Sequence, residues 1–597
     1  MPFMHDELSG LSRTHYSSVH DVLLYGVAKY DTHPAGVELF IYYWIKLFGE
    51  NEMVLKLPFI ICGLLSIIVA FKISKFWFNS SVALIIAAFM AVLQYMITFG
   101  QIERPYVSGL FFCLLMVWYW SNYFFKENSN KRNNLIGYII SSAFCAYDHH
   151  FALLFAVVVA ITGLFFINKQ NWKGYIIAGI CIFGLYIPHI KITLMQIGRG
   201  GLGGKDGWLG APKPDWLLSF LRYSFHYSYV MYALCSLLFA ASIYYYSQEI
   251  KAKQKFEFIS ILWFLSVFFI EYFYSIYVNP VLQFSTIIFV FPFLLMFIFC
   301  FFGELNAKIK VIIISSILIT GTLTMIITRK HYQVFYHQPY QEQITNTYKM
   351  LDQIGDAKKV TIELMIPVLY KEHYIKKYGR EINSIYFNPF EEKVDTKAFR
   401  KFVNEQTTDY FIFGCPPLEY LQIIKEKYPY MIKKEEGFTY SFYCFAKQKP
   451  ATELHEQVIF SRKMEASTID SAMEYGKDFK EKIKNIIPNR HVILNVSASL
   501  LPADTASNPS LVIDIQENGK SIEWYGVDYK TFNNNISEAN TVYLSRDLTD
   551  FDFKKHPNAE IKIYVWNRDK KKLAIDNFNI EVIRSNPLIY ALFEPID

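Results

Sequence analysis

Acidic, basic and imidazole side chains collect in three short segments near the start of a very apolar chain. The segments are "HDELSG" with Asp6 and Glu7, "YDTHPAG" with Asp31 and His33, and "QIERPY" with Glu103, Arg104 and Tyr106. A positioned carboxylate can take a proton from an attacking group, and an arginine suits the bidentate binding of a phosphate. Such chemistry requires that the fold bring these separate segments to one place.

The composition divides the chain into an apolar half and a polar half. Of the 597 residues, 53% are hydrophobic and 18% are aromatic. From about residue 54 to 328, apolar residues form blocks of roughly 17–25 residues, which is the length of a transmembrane helix. We predict about ten spans, near residues 54–76, 81–99, 105–125, 134–147, 149–167, 173–190, 229–248, 257–278, 281–302 and 308–328.

Lysine and arginine fall in every second loop between these spans, and the positive-inside rule makes those loops cytoplasmic. The first 53 residues, the alternate loops and everything after residue 330 are therefore predicted to lie on the outer, periplasmic side of the cytoplasmic membrane. An amino terminus on the outer side normally follows an upstream apolar helix. We therefore expect one further N-terminal helix that this sequence does not include.

Ionisable groups near membrane spans are costly, so their positions are informative. The groups that cytoplasmic loops do not explain all fall at predicted outer ends or in outer loops. They are Asp6, Glu7, Asp31, His33, Glu103, Arg104, Asp148, His149, His150, His189, Lys191, Arg199, Lys205, Arg222, His226 and Glu271. A channel or a proton-coupled transporter more naturally places charges near the middle of the membrane. The distribution indicates a membrane enzyme whose site opens outward.

The order and spacing of the motifs resemble a known family. "HDELSG", then "YDTHPAGVELFIYYW", then "QIERPYVSGLFFCLLM" is similar to the polytopic lipid-linked-sugar glycosyltransferases with the C-type fold, in the branch of the protein mannosyltransferases and the aminoarabinose transferase (glycosyltransferase family 39-like). That family has an Asp-Glu pair, a D-x-H-P-P segment and an R-P-Y segment in this order. This chain departs from the pattern at Ala35, at Glu103, which is displaced by one position, and at Gln283, where relatives carry an arginine.

The resemblance implies transfer of a sugar from a polyprenyl-phosphate donor to an envelope glycan, lipid or protein, with inversion at the sugar. By motif position it implies Asp6 as the base, with Glu7 and Asp31 as the other catalytic candidates. The residues that would bind substrate are His33, Glu103, Arg104, Tyr106, His149, His189, Lys191, Arg199, Lys205 and Gln283. Lys191, Arg199 and Lys205 belong to a glycine-rich loop that could close over a phosphate-bearing lipid, or could be a plain surface loop.

Structural roles remain open for several of these residues. Asp6 and Glu7 could belong to a solvated amino terminus, and Asp31 could cap the helix that begins near Pro34. His33 could orient its loop, and Glu103 with Arg104 could form an interfacial ion pair. His149 and His150 leave a divalent metal open, although adjacent histidines point in different directions on a helix.

The polar half lacks spans and divides again. Residues 331–450 alternate helical and strand patterns, which predicts a small soluble α/β domain. Residues 451–597 are rich in strands, with Asn518-Gly519 between two of them, which predicts a β-sandwich similar in outline to carbohydrate-binding modules. Tyr525 and Trp566 could stack on sugars there or lie in the core. Residues 1–53 would form an external catalytic loop with amphipathic helices, and residues 54–330 the transmembrane domain.

Two other functions compete with a glycosyltransferase. A transporter or flippase for lipid-linked glycans also needs many spans and a phosphate site, and an inactive relative could serve as a scaffold. The net charge of +6 reflects the predicted cytoplasmic loops, and no basic stripe with interleaved aromatics appears elsewhere. We therefore expect a lipid-linked donor, an envelope acceptor and the membrane as partners, and no nucleic acid.

Overall fold

The structure is a computed structural model that describes residues 1–198, 208–244, 254–384, 395–487, 490–504, 506–532 and 539–596. The chain forms two compact units. The helical unit contains residues 1–336 together with residues 592–596, and the second unit contains residues 337–591.

The helical unit begins with short helices and continues with long apolar ones. Its α-helices are α1 (His5–Ser12), α2 (Val19–Asp21), α3 (Gly36–Phe48), α4 (Glu52–Trp77), α5 (Ser80–Val92), α6 (Gln94–Gly100), α7 (Val107–Phe125), α8 (Lys131–Asp148), α9 (His150–Leu164), α10 (Trp172–Gly198), α11 (Trp216–Ser224), α12 (Tyr229–Tyr244), α13 (Gln254–Tyr277), α14 (Phe291–Phe299), α15 (Ala307–Ile327) and α16 (His331–Phe335). A π-helix (Val22–Lys29) follows α2, and a 3-10 helix (Phe284–Phe289) precedes α14.

Asparagine side chains start several of the long helices. The side chains of Asn51, Asn79, Asn130 and Asn306 accept hydrogen bonds from the first turns of α4, α5, α8 and α15. Such caps satisfy amide groups that have no partner within the helix. Inside the bundle, the indole rings of Trp77 and Trp120 pack 5.6 Å and 5.5 Å from that of Trp263. The helices are thus held by large buried aromatic contacts.

The helical unit is that of a multi-pass membrane protein. Among the described residues, five helices are long and apolar enough to cross a membrane: α4, α7, α10, α13 and α15. The bent pairs α5 with α6 (65°) and α11 with α12 (95°) raise the number to as many as seven. A helix lies in each of the ten predicted spans.

Three of the predicted spans contain helices that fall short of a full crossing. They are α8, α9, and the 3-10 helix with α14. The amino-terminal part of α8 is polar, and the extended backbone of His149 separates α8 from α9. Pro292 near the start of α14 favours a helix start there. Length and composition in the sequence could not separate such broken segments from continuous spans.

A buried arginine connects the helical unit to a segment much further along the chain. Arg329 follows α15 and is fully buried. Its guanidinium donates hydrogen bonds to the carbonyl oxygens of Glu594 (2.7 Å) and Leu592 (2.8 Å) and to Oε1 of Gln94 (2.7 Å). These acceptors pair several of the five N–H donors of the guanidinium. Residues 592–596 thereby become part of the helical unit.

The second unit contains a mixed α/β sheet followed by a β-sandwich. Its helices are α17 (Pro339–Ile354), α18 (Val368–Tyr378), α19 (Thr396–Glu405), α20 (Leu418–Lys427) and α21 (Ile483–Ile486). Its strands are β1 (Val360–Leu364), β2 (Tyr410–Gly414), β3 (Tyr430–Gly437), β4 (Tyr440–Ala446), β5 (Val458–Lys463), β6 (Ser467–Ile469), β7 (Phe479–Lys482), β8 (Val492–Pro502), β9 (Ser510–Glu517), β10 (Lys520–Asp528), β11 (Asn540–Asp547), β12 (Glu560–Trp566) and β13 (Leu573–Arg584).

Three sheets organise these strands. The first has the order β1-β2-β4-β3, with β1 and β2 parallel. The sandwich consists of the sheets β10-β9-β12-β7 and β11-β8-β13-β5, with β6 paired to β13. Both soluble folds predicted from the sequence are confirmed, and they share one continuous hydrophobic core that includes Phe413, Tyr420, Leu494 and Ile513.

The hairpin predicted at Asn518-Gly519 connects β9 and β10. Asn518 has a φ of 52° and Gly519 a φ of 76°, which are the two positive values that a tight two-residue hairpin requires. Further along β10, a bulge between Ser521 and Glu523 changes which side chains face the core. Tyr525 pairs with Ile513 and, partly buried, packs against the hydrophobic core, which favours the core alternative over sugar stacking for Tyr525.

Candidate functional site

Glu7 forms a buried ion pair that attaches the first helix to a long membrane helix. It lies in α1, and both its carboxylate oxygens are within 2.6–2.7 Å of Nζ of Lys56 in α4. The same carboxylate accepts hydrogen bonds from the backbone N–H groups of Glu103 (3.0 Å) and Met4 (2.8 Å). Both carboxylate oxygens of Glu7 are used in these internal contacts. We therefore interpret Glu7 as a residue that positions the site.

Asp31 is the centre of a second buried cluster. Its carboxylate lies 2.7 Å from Nη1 of Arg13, 2.9 Å from Nδ1 of His33 and 3.9 Å from Nη2 of Arg104. It also accepts the backbone N–H groups of Thr32 and His33, at 2.6 Å and 3.0 Å. The side chain therefore caps its own loop, and α3 begins five residues later at Gly36.

The charges around Asp31 determine its ionisation. Burial alone would raise the pKa of the Asp31 carboxyl, but His33, Arg104 and Arg13 outweigh burial and hold the pKa well below its usual range. Burial and the nearby Arg104 lower the pKa of His33, so this imidazole is neutral at pH 7. Asp31 is thus a buried anion that is already compensated by cations, which makes it a poor proton acceptor.

Arg104 joins these clusters from the loop between α6 and α7. Its Nη2 lies 2.9 Å from Nδ1 of His33, and its Nη1 lies 3.6 Å from the carboxylate of Glu38 in α3. Burial opposes the charge of Arg104, yet Asp31 and Glu38 raise its pKa above the ordinary value. The guanidinium also packs against Gly10 of α1, where a Cβ atom would come within 2.6 Å of Nη1.

Asp6 is the one catalytic candidate whose carboxylate is free. It is exposed in α1, and it makes no hydrogen bond or ion pair with any residue that the structure describes. It lies one helical turn before Gly10, on the face of α1 that meets Arg104. Its charge contributes to the raised pKa values of Arg104 and of Tyr106, whose pKa is about 12 mainly because of burial. The charge of Asp6 therefore acts within electrostatic range of both side chains.

Two further carboxyl groups are deeply buried beside these charged clusters. Glu38 and Glu103 are almost fully buried, and none of their carboxyl oxygens has a hydrogen-bond partner among the described residues. Burial, reinforced by Asp31, raises the pKa of Glu38 well above its ordinary value. Burial, reinforced by Glu7, does the same for Glu103. Burial therefore favours the protonated form of both groups.

The pKa of Glu103 gives a stability prediction. A raised pKa means that the folded protein keeps a proton that the unfolded chain releases above pH 4.5, so stability falls as the pH rises. Glutamine cannot ionise. We therefore expect Glu103→Gln to become progressively more stable than the wild-type protein in thermal unfolding as the pH rises above 4.5. Glu127→Gln, in an exposed loop, is the control. A stability difference between Glu103→Gln and the wild type that does not change with pH would contradict the prediction.

Histidines and a glutamine fix the loop that carries Asp31. Nε2 of His189 in α10 accepts the N–H of Ala35 at 3.0 Å, while its Nδ1 lies 2.9 Å from the Thr193 hydroxyl. Gln196, which lies about one turn beyond Thr193 in α10, donates to the carbonyl oxygen of His33 at 2.6 Å. Both ring nitrogens of His189 are thus used internally, and its contacts favour an orienting role.

The aromatic side of the cluster contains His33, Tyr106 and His149. The ring of His33 lies 5.0 Å from that of His149 and 6.2 Å from that of Tyr106. His149 caps α9 through Nδ1, which accepts the N–H of Phe151, whereas Nε2 of His150 lies 2.9 Å from Oε1 of Gln196. The two adjacent histidines therefore face different partners.

The remaining predicted residues are not brought into this cluster. Gln283 precedes the 3-10 helix Phe284–Phe289 and bonds the Thr286 hydroxyl through its backbone N–H (3.3 Å) and carbonyl oxygen (2.8 Å). Lys191 is exposed on α10, beside an apolar hollow of about 550 Å³ lined by Ile187 and Leu194. Arg199 and Lys205 lie outside the described residues. Within the part of the chain that is described, no group of three or more His, Cys, Asp or Glu side chains could hold a metal ion.

Sequence reasoning missed three charged members of the site, namely Arg13, Glu38 and Lys56. Glu38 and Lys56 each interrupt an apolar run, and that interruption was a usable signal because ionisable groups in such runs are costly. Arg13 carries no such signal. Its role follows from the fold, which places the end of α1 beside the loop of Asp31.

The comparison with protein families agrees with the motif assignment. Residues 32–191 match the profile of the family described as dolichyl-phosphate-mannose-protein mannosyltransferase. A crystal structure of ArnT from Cupriavidus metallidurans in the apo state aligns with a TM-score of 0.46 and 10% identity, covering 75% of this chain and 94% of that chain. The structure of the same protein bound to undecaprenyl phosphate aligns with a TM-score of 0.42 and 10% identity, covering 74% and 94%.

No curated protein gives a significant match. The family match includes His33 and Arg104, which the structure brings to the buried carboxylate of Asp31, one residue before the matched range. The resemblance inferred from the motifs is therefore confirmed over residues 32–191, where the chain carries the sequence pattern of the dolichyl-phosphate-mannose-protein mannosyltransferase family.

Proposed function

We propose that this chain is an integral membrane glycosyltransferase that moves a sugar from a polyprenyl-phosphate-linked donor to an envelope acceptor. The family profile matched by residues 32–191 supports this reaction class. The observation that carries the proposal is the placement of Asp6, an exposed carboxylate with no ion-pair partner among the described residues, within electrostatic reach of the buried cation Arg104. A base and a cation for the leaving group are what such a transfer requires.

The proposed step is a direct displacement. The acceptor hydroxyl oxygen attacks the anomeric carbon while Asp6 takes the hydroxyl proton, and a new C–O bond forms. The bond from the anomeric carbon to the phosphate oxygen breaks, and the electron pair leaves with the polyprenyl phosphate. Attack opposite to the leaving group inverts the anomeric carbon, as in inverting glycosidases.

The developing charge on the leaving phosphate needs cations that are already in place. Arg104 is held rigidly by Asp31, His33 and Glu38, and Arg13 retains 21% of its side-chain exposure beside Asp31. Preorganised charge of this kind stabilises a transition state without reorganisation during the reaction. We assign phosphate binding to the side of the cluster formed by Arg104 and Arg13.

The alternation of lysine and arginine between loops supports an orientation with the site on the outer side of the cytoplasmic membrane. An outer site suits an envelope glycan, lipid or protein as the acceptor. Single cysteines at exposed positions, one beside α1 and one in the loop between α7 and α8, would test this orientation. Only the first should react with a membrane-impermeant maleimide in intact cells.

The decisive experiment uses the purified full chain in lipid nanodiscs with short-chain polyprenyl-phosphate sugars carrying a radiolabelled hexose or pentose. Envelope extract supplies the acceptor. We expect release of polyprenyl phosphate and incorporation of label into the acceptor. Movement of intact donor lipid across liposomes without release would contradict the proposal and favour a flippase, and the absence of both would favour an inactive scaffold.

Gly10→Ala tests the packing of Arg104 against α1. The added Cβ atom would lie 2.6 Å from Nη1, so the guanidinium must shift relative to Asp31 and Glu38. A displacement of this size at a charge-stabilising group should lower kcat/KM for the donor by about 10–100-fold, with little change in thermal unfolding. Gly179→Ala in α10 is the matched control, because no atom lies within 4 Å of its Cβ position. Equal activity of the two variants would contradict this role of Gly10.

A further inference from the structure

Aromatic side chains cover the face of the sheet β10-β9-β12-β7 that points away from the sandwich core. Trp524 pairs with Asp514, and Tyr564 and Trp566 pair with Val512 and Ser510. These residues alternate with Ile513, Ile561 and Ile563, which are fully buried in the core. Tyr475 forms a bridge to Trp566 and extends the same surface. We call Tyr475, Trp524, Tyr564 and Trp566 the aromatic face.

The bulge in β10 creates this surface. Ser521 pairs with Gln516 and Glu523 pairs with the adjacent Ile515, so Ile522 is an extra residue on β10 that reverses the alternation. Tyr525 is thereby directed to the core and Trp524 to the outer face. Trp524 joins Tyr475, Tyr564 and Trp566 on one surface, and an exposed apolar patch is more informative than a single exposed residue.

The ring of Trp524 lies across its own strand. A Cβ atom at Gly526 would come within 2.4 Å of the indole ring, so glycine at this position is what allows the ring to lie against the backbone. Trp524 is 47% exposed and Tyr475 is 53% exposed. The Trp566 ring stands at 88° to that of Trp524, with centroids 6.4 Å apart. The surface therefore offers an exposed indole with a second indole at right angles beside it.

The charges around the aromatic face are paired. Lys562 lies 3.6 Å from Asp478, and Lys480 lies 2.8 Å from Glu560. Arg568 pairs with Asp528, and Lys570 lies 3.3 Å from Glu474. Each cation thus has an acidic partner, and the rim offers hydrogen-bonding groups without an excess of either charge. Such a rim matches a neutral polar ligand better than a polyanion or an anionic lipid surface.

We propose that the aromatic face binds a neutral carbohydrate chain. The electron-rich face of an indole ring attracts the slightly positive C–H groups on the flat side of a sugar ring. The surrounding carboxylates, amides and ammonium groups can bond the hydroxyl groups at the rim of the sugar. This inference uses only contacts within the second unit, and it holds whether or not the helical unit transfers sugar.

The test uses the full chain in lipid nanodiscs, because sugar-headed detergents would themselves compete. The probes are maltohexaose, cellohexaose and chitohexaose, with dextran sulfate as an anionic comparison, and binding is followed by intrinsic tryptophan fluorescence and by saturation-transfer NMR. We expect saturable binding of at least one neutral probe. Trp524→Ala should weaken it by at least about tenfold, and Trp524→Phe should weaken it less, because a flat ring remains.

Tyr378→Ala is the control, since Tyr378 is an exposed aromatic residue at the end of α18 in the same unit. It should leave binding unchanged. The proposal is overturned if no neutral probe binds, if only dextran sulfate binds, or if Trp524→Ala binds as well as the wild-type protein. It is also overturned if Trp524→Ala changes the oligomeric state instead, because the face would then be an interface between copies.

Discussion

Asp6→Asn is expected to lower the rate of sugar transfer by about 10²–10⁴-fold, the range typical for loss of a general base. Asparagine has nearly the same shape but cannot take up the proton of the acceptor hydroxyl. Because Asp6 is exposed and makes no ion pair with the described residues, its replacement should leave thermal unfolding unchanged. The measurement is the initial rate of polyprenyl phosphate release by protein in nanodiscs.

The matched control is Glu127→Gln, which neutralises an exposed carboxylate at the opposite end of α7 from Arg104. It should keep wild-type turnover. A further comparison is KM for the donor, which should change little in Asp6→Asn if Asp6 acts on the acceptor proton. Near-normal turnover of Asp6→Asn would remove Asp6 from the mechanism and with it the proposed displacement step.

The Glu7–Lys56 pair gives the second large effect, and here the effect is on stability. Lys56→Met leaves the carboxylate of Glu7 buried without its cation, and breaking a buried pair in this way costs about 3–5 kcal/mol. The double variant Glu7→Gln/Lys56→Met should recover most of this loss, because neither buried charge remains. Glutamine also keeps an acceptor for the N–H of Glu103, which Glu7 binds at 3.0 Å.

The measurement is the free energy of unfolding of four proteins: the wild type, both single variants and the double variant. Comparison of the four values gives the coupling energy between Glu7 and Lys56. Lys310→Met is the control, because Lys310 pairs with the half-exposed Glu304 and such a pair contributes only about 0–1 kcal/mol. The double variant should retain transfer activity within about tenfold of the wild type. A stable but inactive double variant would show that Glu7 takes part in the reaction itself.

Much of the fold could be predicted because apolar runs and strand alternation are local signals. Every predicted span contains a helix, and both soluble folds are present. The convergence of Asp31, His33 and Arg104 was also foreseeable, since the cost of charges near membrane spans restricts them to one polar site. The predicted spans 134–147 and 149–167 also place a break within one residue of the extended His149 that separates α8 from α9.

The roles of individual carboxylates depended on contacts that have no local signature. Glu7 and Asp6 are neighbours in sequence, yet one is buried against Lys56 and the other is exposed. Successive positions of a helix face directions about 100° apart, so the placement of α1 decides which carboxylate is neutralised. In the same way, one bulge in β10 decided that Trp524 and not Tyr525 is exposed.

Arg329 has a consequence for the biosynthesis of this protein. Its acceptors Leu592 and Glu594 are separated from it by 263 and 265 positions along the chain. A guanidinium buried without its acceptors is strongly destabilising. While the ribosome is still producing the polar half, the inserted helices therefore lack the carbonyl groups that close around this side chain. We therefore expect the helix bundle to complete its folding only after translation ends. Any cellular check on the folded membrane part would then have to wait until the extramembrane part is complete.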